Sequence, residues 1–104
     1  MEPKNASIRK VSIEFNHGHL TAWVHLDFGG GGQGFGGYGL GGPHCAVFLK
    51  RCMNVIGVDK WQDLEGKPCR IRNTQNRVHE IGHFIKDDWF NPENEFKAME
   101  TNND

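Results

Sequence analysis

The sequence predicts an α+β fold, in which a mostly antiparallel sheet carries helices on one face. Apolar and polar residues alternate with period two through residues 7–28, which is typical of half-buried strands. Residues 45–56 instead have apolar side chains at helical spacing. Short turns separate consecutive strands, so neighbouring strands are expected to pair antiparallel. The predicted order is β-β-β-α-β-β-α, in a single domain that covers residues 1–104.

The N-terminal quarter is predicted to be a β-hairpin. Ser7–Phe15 and Leu20–Phe28 both alternate, and the Asn16-His17-Gly18-His19 segment between them has turn chemistry. Alternate residues of a strand share one face, so one set on the second strand is expected to face the core. This set is Leu20, Ala22, Val24, Leu26 and Phe28.

The segment 29–43 is rich in glycine, with ten glycines in fifteen residues. Flexible linkers are usually rich in serine and lack aromatic residues, whereas Phe35, Tyr38 and Leu40 interrupt the glycines here. We therefore predict a mobile turn at Gly29–Gln33 and a third strand near Gly34–Leu40. Regular alternation would place Phe35 on the opposite face from Tyr38.

A helix is predicted over Cys45–Ile56, with Gly57 just past its end. Cys45, Phe48 and Cys52 share its inner face. Cys69 makes the number of cysteines odd, and no pair has C-x-x-C spacing. We therefore expect reduced thiols that pack as small core residues, with no metal site.

The C-terminal part is predicted to contain a second hairpin and a short helix. Pro68–Arg72 and Arg77–Ile85 flank a four-residue gap with asparagine at both ends. Asn91 is expected to cap a helix that begins at Pro92, and the tail at residues 101–104 is expected to be frayed.

The sequence His79-Glu80-Ile81-Gly82-His83 matches H-E-x-x-H, the signature of zinc hydrolases. That chemistry needs a helix, since two histidines four residues apart must share a face. The alternative is a strand, in which the two histidines would lie about 13 Å apart. The turn chemistry at 73–76 favours the strand, and no glycine or third histidine follows at metzincin spacing. A minimal zinc hydrolase remains the alternative function.

The glycine-rich segment is the first candidate for function. It contains G-x-G-x-x-G, but no helix follows directly, so a dinucleotide-binding loop is not predicted. Consecutive glycines can still direct backbone N–H groups at an anion, and nearby arginines can bind phosphate. An oligomer contact is the structural alternative. The candidate residues for binding a ligand or partner are Gly31, Gly32, Gln33, Gly34, Phe35, Gly36, Gly37, Tyr38, Arg70 and Arg72.

Composition excludes some classes of protein. The formal net charge of −1 argues against binding to nucleic acid through bulk charge. A single-strand binder that uses Phe35, Tyr38 and the arginines at 70, 72 and 77 is a second alternative. No membrane span or signal peptide is recognised, so a cytoplasmic location is expected. No catalytic residue and no cofactor are predicted.

Two segments, Gly31–Tyr38 and Trp61–Lys67, have distinctive sequences. With the sequences around them, they resemble a group of small phage and prophage proteins. The resemblance implies a binding protein in the bacterial host cell, such as an inhibitor of a defence system. Its partner would be a host protein or a nucleotide signal.

Overall fold

The computed structural model describes residues 1–102, with side chains described for residues 1–100. Two α-helices cover one face of a six-stranded antiparallel sheet, so the α+β prediction is confirmed. The strands are Lys4–Asn16 (β1), His19–Phe28 (β2), Gly31–Gly39 (β3), Pro68–Asn73 (β4), Val78–Gly82 (β5) and Trp89–Phe90 (β6). The helices are Cys45–Ile56 (α1) and Pro92–Asn102 (α2), and Trp61–Leu64 forms a 3₁₀ turn. The order across the sheet is β3-β2-β1-β4-β5-β6.

The first hairpin forms as predicted. A two-residue turn joins β1 to β2, with His17 at φ 51° and Gly18 at φ 82°. Both residues are in the left-handed region that such a turn requires. Only the middle of the predicted inner face is buried, because Ala22, Val24 and Leu26 are in the core whereas Leu20 is exposed. The hairpin therefore extends past the layer of helices.

The glycine-rich segment is more regular than the sequence predicts. β3 begins at Gly31, inside the predicted mobile turn, and only Gly29 and Gly30 form the turn from β2. The pairing register slips where Ala22 faces Tyr38 and Trp23 faces Gly36, so Gly37 is the extra residue of a β-bulge. The bulge reverses the alternation after Gly37.

One hydrophobic core holds the sheet and the helices together. From α1 it receives Cys45, Phe48, Cys52 and Val55, all on the face expected from helical spacing. Gly57 ends the helix at φ 91° and its N–H donates to the carbonyl of Met53 at 2.8 Å. The three cysteines are free and buried, as expected, and burial raises the pKa of Cys69 to about 12. These thiols are therefore poor nucleophiles.

The second hairpin is confirmed, although β5 ends at Gly82 and not at Ile85. The sequence did not predict β6, a two-residue strand that pairs with β5 and places Phe90 in the core. Asn91 caps α2, because its Oδ1 accepts a hydrogen bond from the N–H of Asn94 at 3.0 Å. The helix continues to Asn102, which is inside the tail predicted to fray, and residues 103–104 lie outside the described residues.

The sheet curves strongly, so that β3 approaches the β4–β5 turn although β2 and β1 lie between β3 and β4 in the sheet. The side chain of Gln33 bridges the gap. Its Nε2 donates to the carbonyls of Thr74 at 3.2 Å and Gln75 at 2.9 Å, and its Oε1 accepts from Asn73 at 3.1 Å. In residues 1–102, neither helix is long and apolar enough to span a bilayer.

Candidate functional site

A cleft of about 390 Å³ lies between the glycine-rich strand β3 and the start of β5, and we call it the β3–β5 cleft. Ligand-binding clefts typically enclose about 300–1,000 Å³, so this one has room for a small ligand. Its lining combines bare backbone, aromatic rings and two basic side chains. The lining residues are Trp23, Gly34, Phe35, Gly36, Gly37, Tyr38, Asn76, Arg77, Val78, His79 and Pro92.

The glycines of β3 first serve the packing of the chain itself. A Cβ atom at Gly36 would lie 2.7 Å from the carbonyl oxygen of Ala22 and 2.7 Å from Cζ of Phe48. A Cβ atom at Gly34 or Gly37 would lie 3.1 Å or 2.9 Å from the ring of Trp23. Two aromatic rings of the same molecule therefore occupy the space beside these glycines.

Phe35 and Tyr38 lie on the same face of the sheet, because of the bulge at Gly37. The expectation that they face opposite ways is wrong. Phe35 is buried with its ring centroid 5.4 Å from that of Phe48, and Tyr38 lies 5.1 Å from the same ring. Phe35 is thus a core residue, whereas Tyr38 is only partly buried. Burial raises the pKa of the Tyr38 phenol, and the nearby charge of Arg77 opposes this rise.

Arg77 and His79 supply the polar side of the cleft. Arg77 is 59% exposed and its guanidinium lies 3.9 Å from the carboxylate of Glu93. An exposed ion pair of this length contributes little to stability, so Arg77 can exchange its partner at small cost. His79 is partly buried on β5, where it lines the same cleft.

Arg70 and Arg72, the two arginines predicted to bind a ligand, have internal partners. Both guanidinium groups lie on the ring of Trp89, at 5.0 Å and 3.9 Å from its centroid. Arg70 also donates to the carbonyls of His83 and Lys86 at 2.9 Å and 2.7 Å. These contacts hold the β5–β6 loop against the sheet, and neither arginine lines the β3–β5 cleft.

The predicted residues Gly31, Gly32 and Gln33 line a second, more open cavity of about 440 Å³, on the other side of the Gln33 bridge. Lys4, Phe28 and residues 73–75 complete this cavity, and the Lys4 ammonium lies 5.3 Å from the centre of the Phe28 ring. The glycine-rich strand therefore borders more than one cavity, and Gln33 lines the second but not the β3–β5 cleft.

The H-E-x-x-H sequence runs from strand β5 into a loop. The predicted strand is confirmed for His79–Gly82, whereas His83 lies beyond its end. His79 is on β5, whereas His83 follows it and its Nδ1 accepts the N–H groups of Ile85 and Lys86, both at 3.0 Å. Glu80 lies 3.4 Å from Arg72. The two histidines therefore do not share a helical face. Among the residues with described side chains, no three metal-binding groups converge.

Sequence reasoning missed Trp23 and His79 as cleft residues, and it treated Arg77 only as one member of a basic cluster. Trp23 falls between the core-facing residues predicted for β2, where nothing in the local pattern signals a cleft. The curvature of the sheet brings β2, β3 and β5 together, and no local sequence pattern reports it.

No family model, curated protein or solved structure matches this chain. The geometry of the β3–β5 cleft is therefore the basis for a functional assignment.

Proposed function

We propose that this chain is a binding protein that holds an anionic nucleotide in the β3–β5 cleft. The observation that carries the proposal is the convergence of three kinds of group. The cleft combines the glycine-rich edge strand β3, the guanidinium of Arg77 and the ring of Trp23. A phosphate group would bind the guanidinium and the backbone N–H groups along the edge of β3, and a nucleobase would stack on the indole.

Arg77 is the group proposed to bind phosphate. Its guanidinium is exposed, and its ion pair with Glu93 is long at 3.9 Å. A phosphate group offers a bidentate acceptor of higher charge, so it would replace the Glu93 carboxylate. His79 lies in the same cleft and would add a second donor.

Trp23 is the group proposed to stack on a base. Its indole lies over Gly34 and Gly37 and its Nε1 donates to Oγ1 of Thr21 at 3.0 Å, so the ring is held in one orientation before any ligand arrives. A ring fixed in advance loses little entropy when it stacks.

The resemblance to small phage proteins adds a biological setting to the proposal. In that setting the protein would withhold a nucleotide signal from a bacterial defence system. Inhibition of a host protein through direct contact with the glycine-rich strand is the alternative within the same setting.

Titration calorimetry with AMP, ATP and a cyclic dinucleotide tests the proposal. We expect at least one of them to bind, and Arg77→Gln to weaken that binding by about tenfold or more, because a charged hydrogen bond is lost. Arg9→Gln is the matched control. Arg9 is 56% exposed and pairs with Asp27 at 3.5 Å, but it lies outside the cleft.

A variant that is expected to tighten nucleotide binding sharpens the test. Glu93→Gln removes the carboxylate that competes for Arg77 and should tighten nucleotide binding. If none of the three nucleotides binds, or if Arg77→Gln and Arg9→Gln behave alike, the assignment of this cleft is wrong.

A further inference from the structure

A surface remote from the cleft also lacks a partner within the chain. It is the edge of β1 from Lys10 to Asn16, which we call the free edge. β4 pairs with β1 only at Lys4–Ser7, and Lys67 and Gly66 extend this contact to Ile8. Beyond the bulge near Arg9, no second strand lies beside β1 within residues 1–102.

The backbone of the free edge points its hydrogen-bonding groups outward at alternate residues. The N–H of Val11 donates to the Glu65 carboxylate at 3.0 Å, so it faces away from β2. N–H and C=O groups two residues apart in an antiparallel strand point the same way. The backbone groups of Ile13 and Phe15 therefore also face outward.

On one face of the strand, the free edge carries large apolar side chains that are exposed. Ile13 is 48% exposed and Phe15 is 76% exposed. Across the strand pair, Leu20 lies opposite Phe15 and is also exposed. An apolar strand edge of this kind is an interaction surface unless charges or bulges protect it. Within the described residues, Glu65 covers the outward N–H of Val11, and Ile13 and Phe15 remain exposed beyond it.

We propose that the free edge pairs with the same edge of a second copy, across a two-fold axis at Ile13. The edge runs from residue 10 to residue 16, and Ile13 is its centre. Only an axis there lets two antiparallel copies pair over the full length. Ile13 then faces Ile13 of the second copy, and Val11 faces Phe15.

Charge and polarity fit the same register. On the other face of the strand, Ser12 lies opposite Glu14 of the second copy, and Lys10 lies diagonal to that Glu14. Diagonal neighbours are about 7–8 Å apart, within reach of a long side chain. Two Lys10–Glu14 attractions are thus formed per dimer. An edge of this length buries little area, so the dimer is expected to be weak.

Cysteine cross-linking tests the register. The native thiols are all buried, so a new exposed cysteine is the reactive one. Facing residues of a hydrogen-bonded pair have Cα atoms about 5.5 Å apart, a distance that a disulfide spans. Ile13→Cys should therefore form a disulfide-linked dimer under mild oxidation. Phe15→Cys should not, because its copies lie four residues apart along the strand. If Phe15→Cys cross-links as well as Ile13→Cys does, the axis is not at Ile13.

Sedimentation over a concentration series tests the association itself. The wild-type chain should show a reversible dimer, and Ile13→Lys should raise its dissociation constant by about tenfold or more, since two like charges then face each other. Ile85→Lys is the matched control, because Ile85 is 81% exposed on the β5–β6 loop. Glu65→Ala frees the N–H of Val11 and should lower the dissociation constant. A wild-type chain that stays monomeric at every concentration would overturn the proposal, and nucleotide binding in the cleft would be unaffected by that result.

Discussion

β3 and β1 both present an edge of the sheet, and they differ in what lies on it. At Gly34, Gly36 and Gly37 of β3, the rings of Trp23 and Phe48 occupy the space that side chains would fill. In β1 the free edge carries Ile13 and Phe15, which are large and exposed. Glycine in an edge strand therefore indicates packing inside the molecule here, whereas an exposed apolar edge indicates a contact outside it.

The same packing recurs at β5. A Cβ atom at Gly82 would lie 2.6 Å from the ring of Trp89, its partner in β6. A tryptophan lying over a glycine in the neighbouring strand is thus used at both ends of the sheet. It covers backbone that glycine would otherwise leave exposed.

The largest expected effect in this comparison comes from removing the ring beneath β3. Phe48→Ala should lower the free energy of unfolding by about 3–5 kcal/mol, because Phe48 is fully buried and contacts Phe35, Tyr38 and Phe90. Chemical denaturation measures it, with Ile85→Ala as an exposed control. Equal midpoints for the two variants would contradict the assignment of Phe48 to the core.

Adding a side chain at Gly36, beside the Phe48 ring, should lower the free energy of unfolding by nearly as much. Gly36→Val places a branched side chain where a Cβ atom already lies 2.7 Å from Phe48, at a φ of 123°. Overpacking and backbone strain together should cost about 2–5 kcal/mol.

Gly41→Val is the matched control for this variant. Gly41 has nothing within 4 Å of an added Cβ atom and no unusual φ. The Gly41→Val variant should therefore unfold at nearly the wild-type denaturant concentration. If Gly36→Val does the same, the packing of β3 against Phe48 is wrong.

A smaller loss of stability is expected from removing the Trp23 ring, which lies on the other side of β3. Trp23→Ala uncovers Gly34 and Gly37 and should cost about 1–2 kcal/mol, since the indole is only partly buried. Gly34→Ala should be better tolerated in the Trp23→Ala background than in the wild-type chain. A double-mutant cycle measures this coupling, and a coupling energy of zero would show that the two residues do not share the space.

The smallest effect on stability is expected at the free edge of β1. Ile13→Lys should change the free energy of unfolding by less than about 0.5 kcal/mol at concentrations where the chain is monomeric. Thermal unfolding of dilute protein measures it. A large loss would show that Ile13 supports the fold and would remove the contrast with β3.

Local patterns predicted the elements well where one pattern dominates. The helix at 45–56, the first hairpin and the cap at Asn91 follow from spacing and turn chemistry, and all three are confirmed. β6 escaped prediction because two residues carry no periodicity. The start of β3 was placed too late, since glycines at Gly31 and Gly32 suggested a turn although their backbone is paired with β2.

The candidate site could be predicted only in part. Glycine content identified β3, and that strand does line the β3–β5 cleft. Arg70 and Arg72 were chosen for their charge, but both lie against Trp89. Arg77 and His79 reach the cleft only because the sheet curves, and charge alone does not distinguish these arginines.

The sequence by itself determined the class of fold, the two hairpins and the inner face of α1, because spacing along the chain decides which side chains share a face. The tertiary structure alone decided what the glycines are for. The bulge at Gly37 turns Tyr38 to the same side as Phe35, and the curvature of the sheet carries Gln33 to the β4–β5 turn. Both depend on how residues far apart in sequence pack, and such packing leaves no periodic signal in the chain.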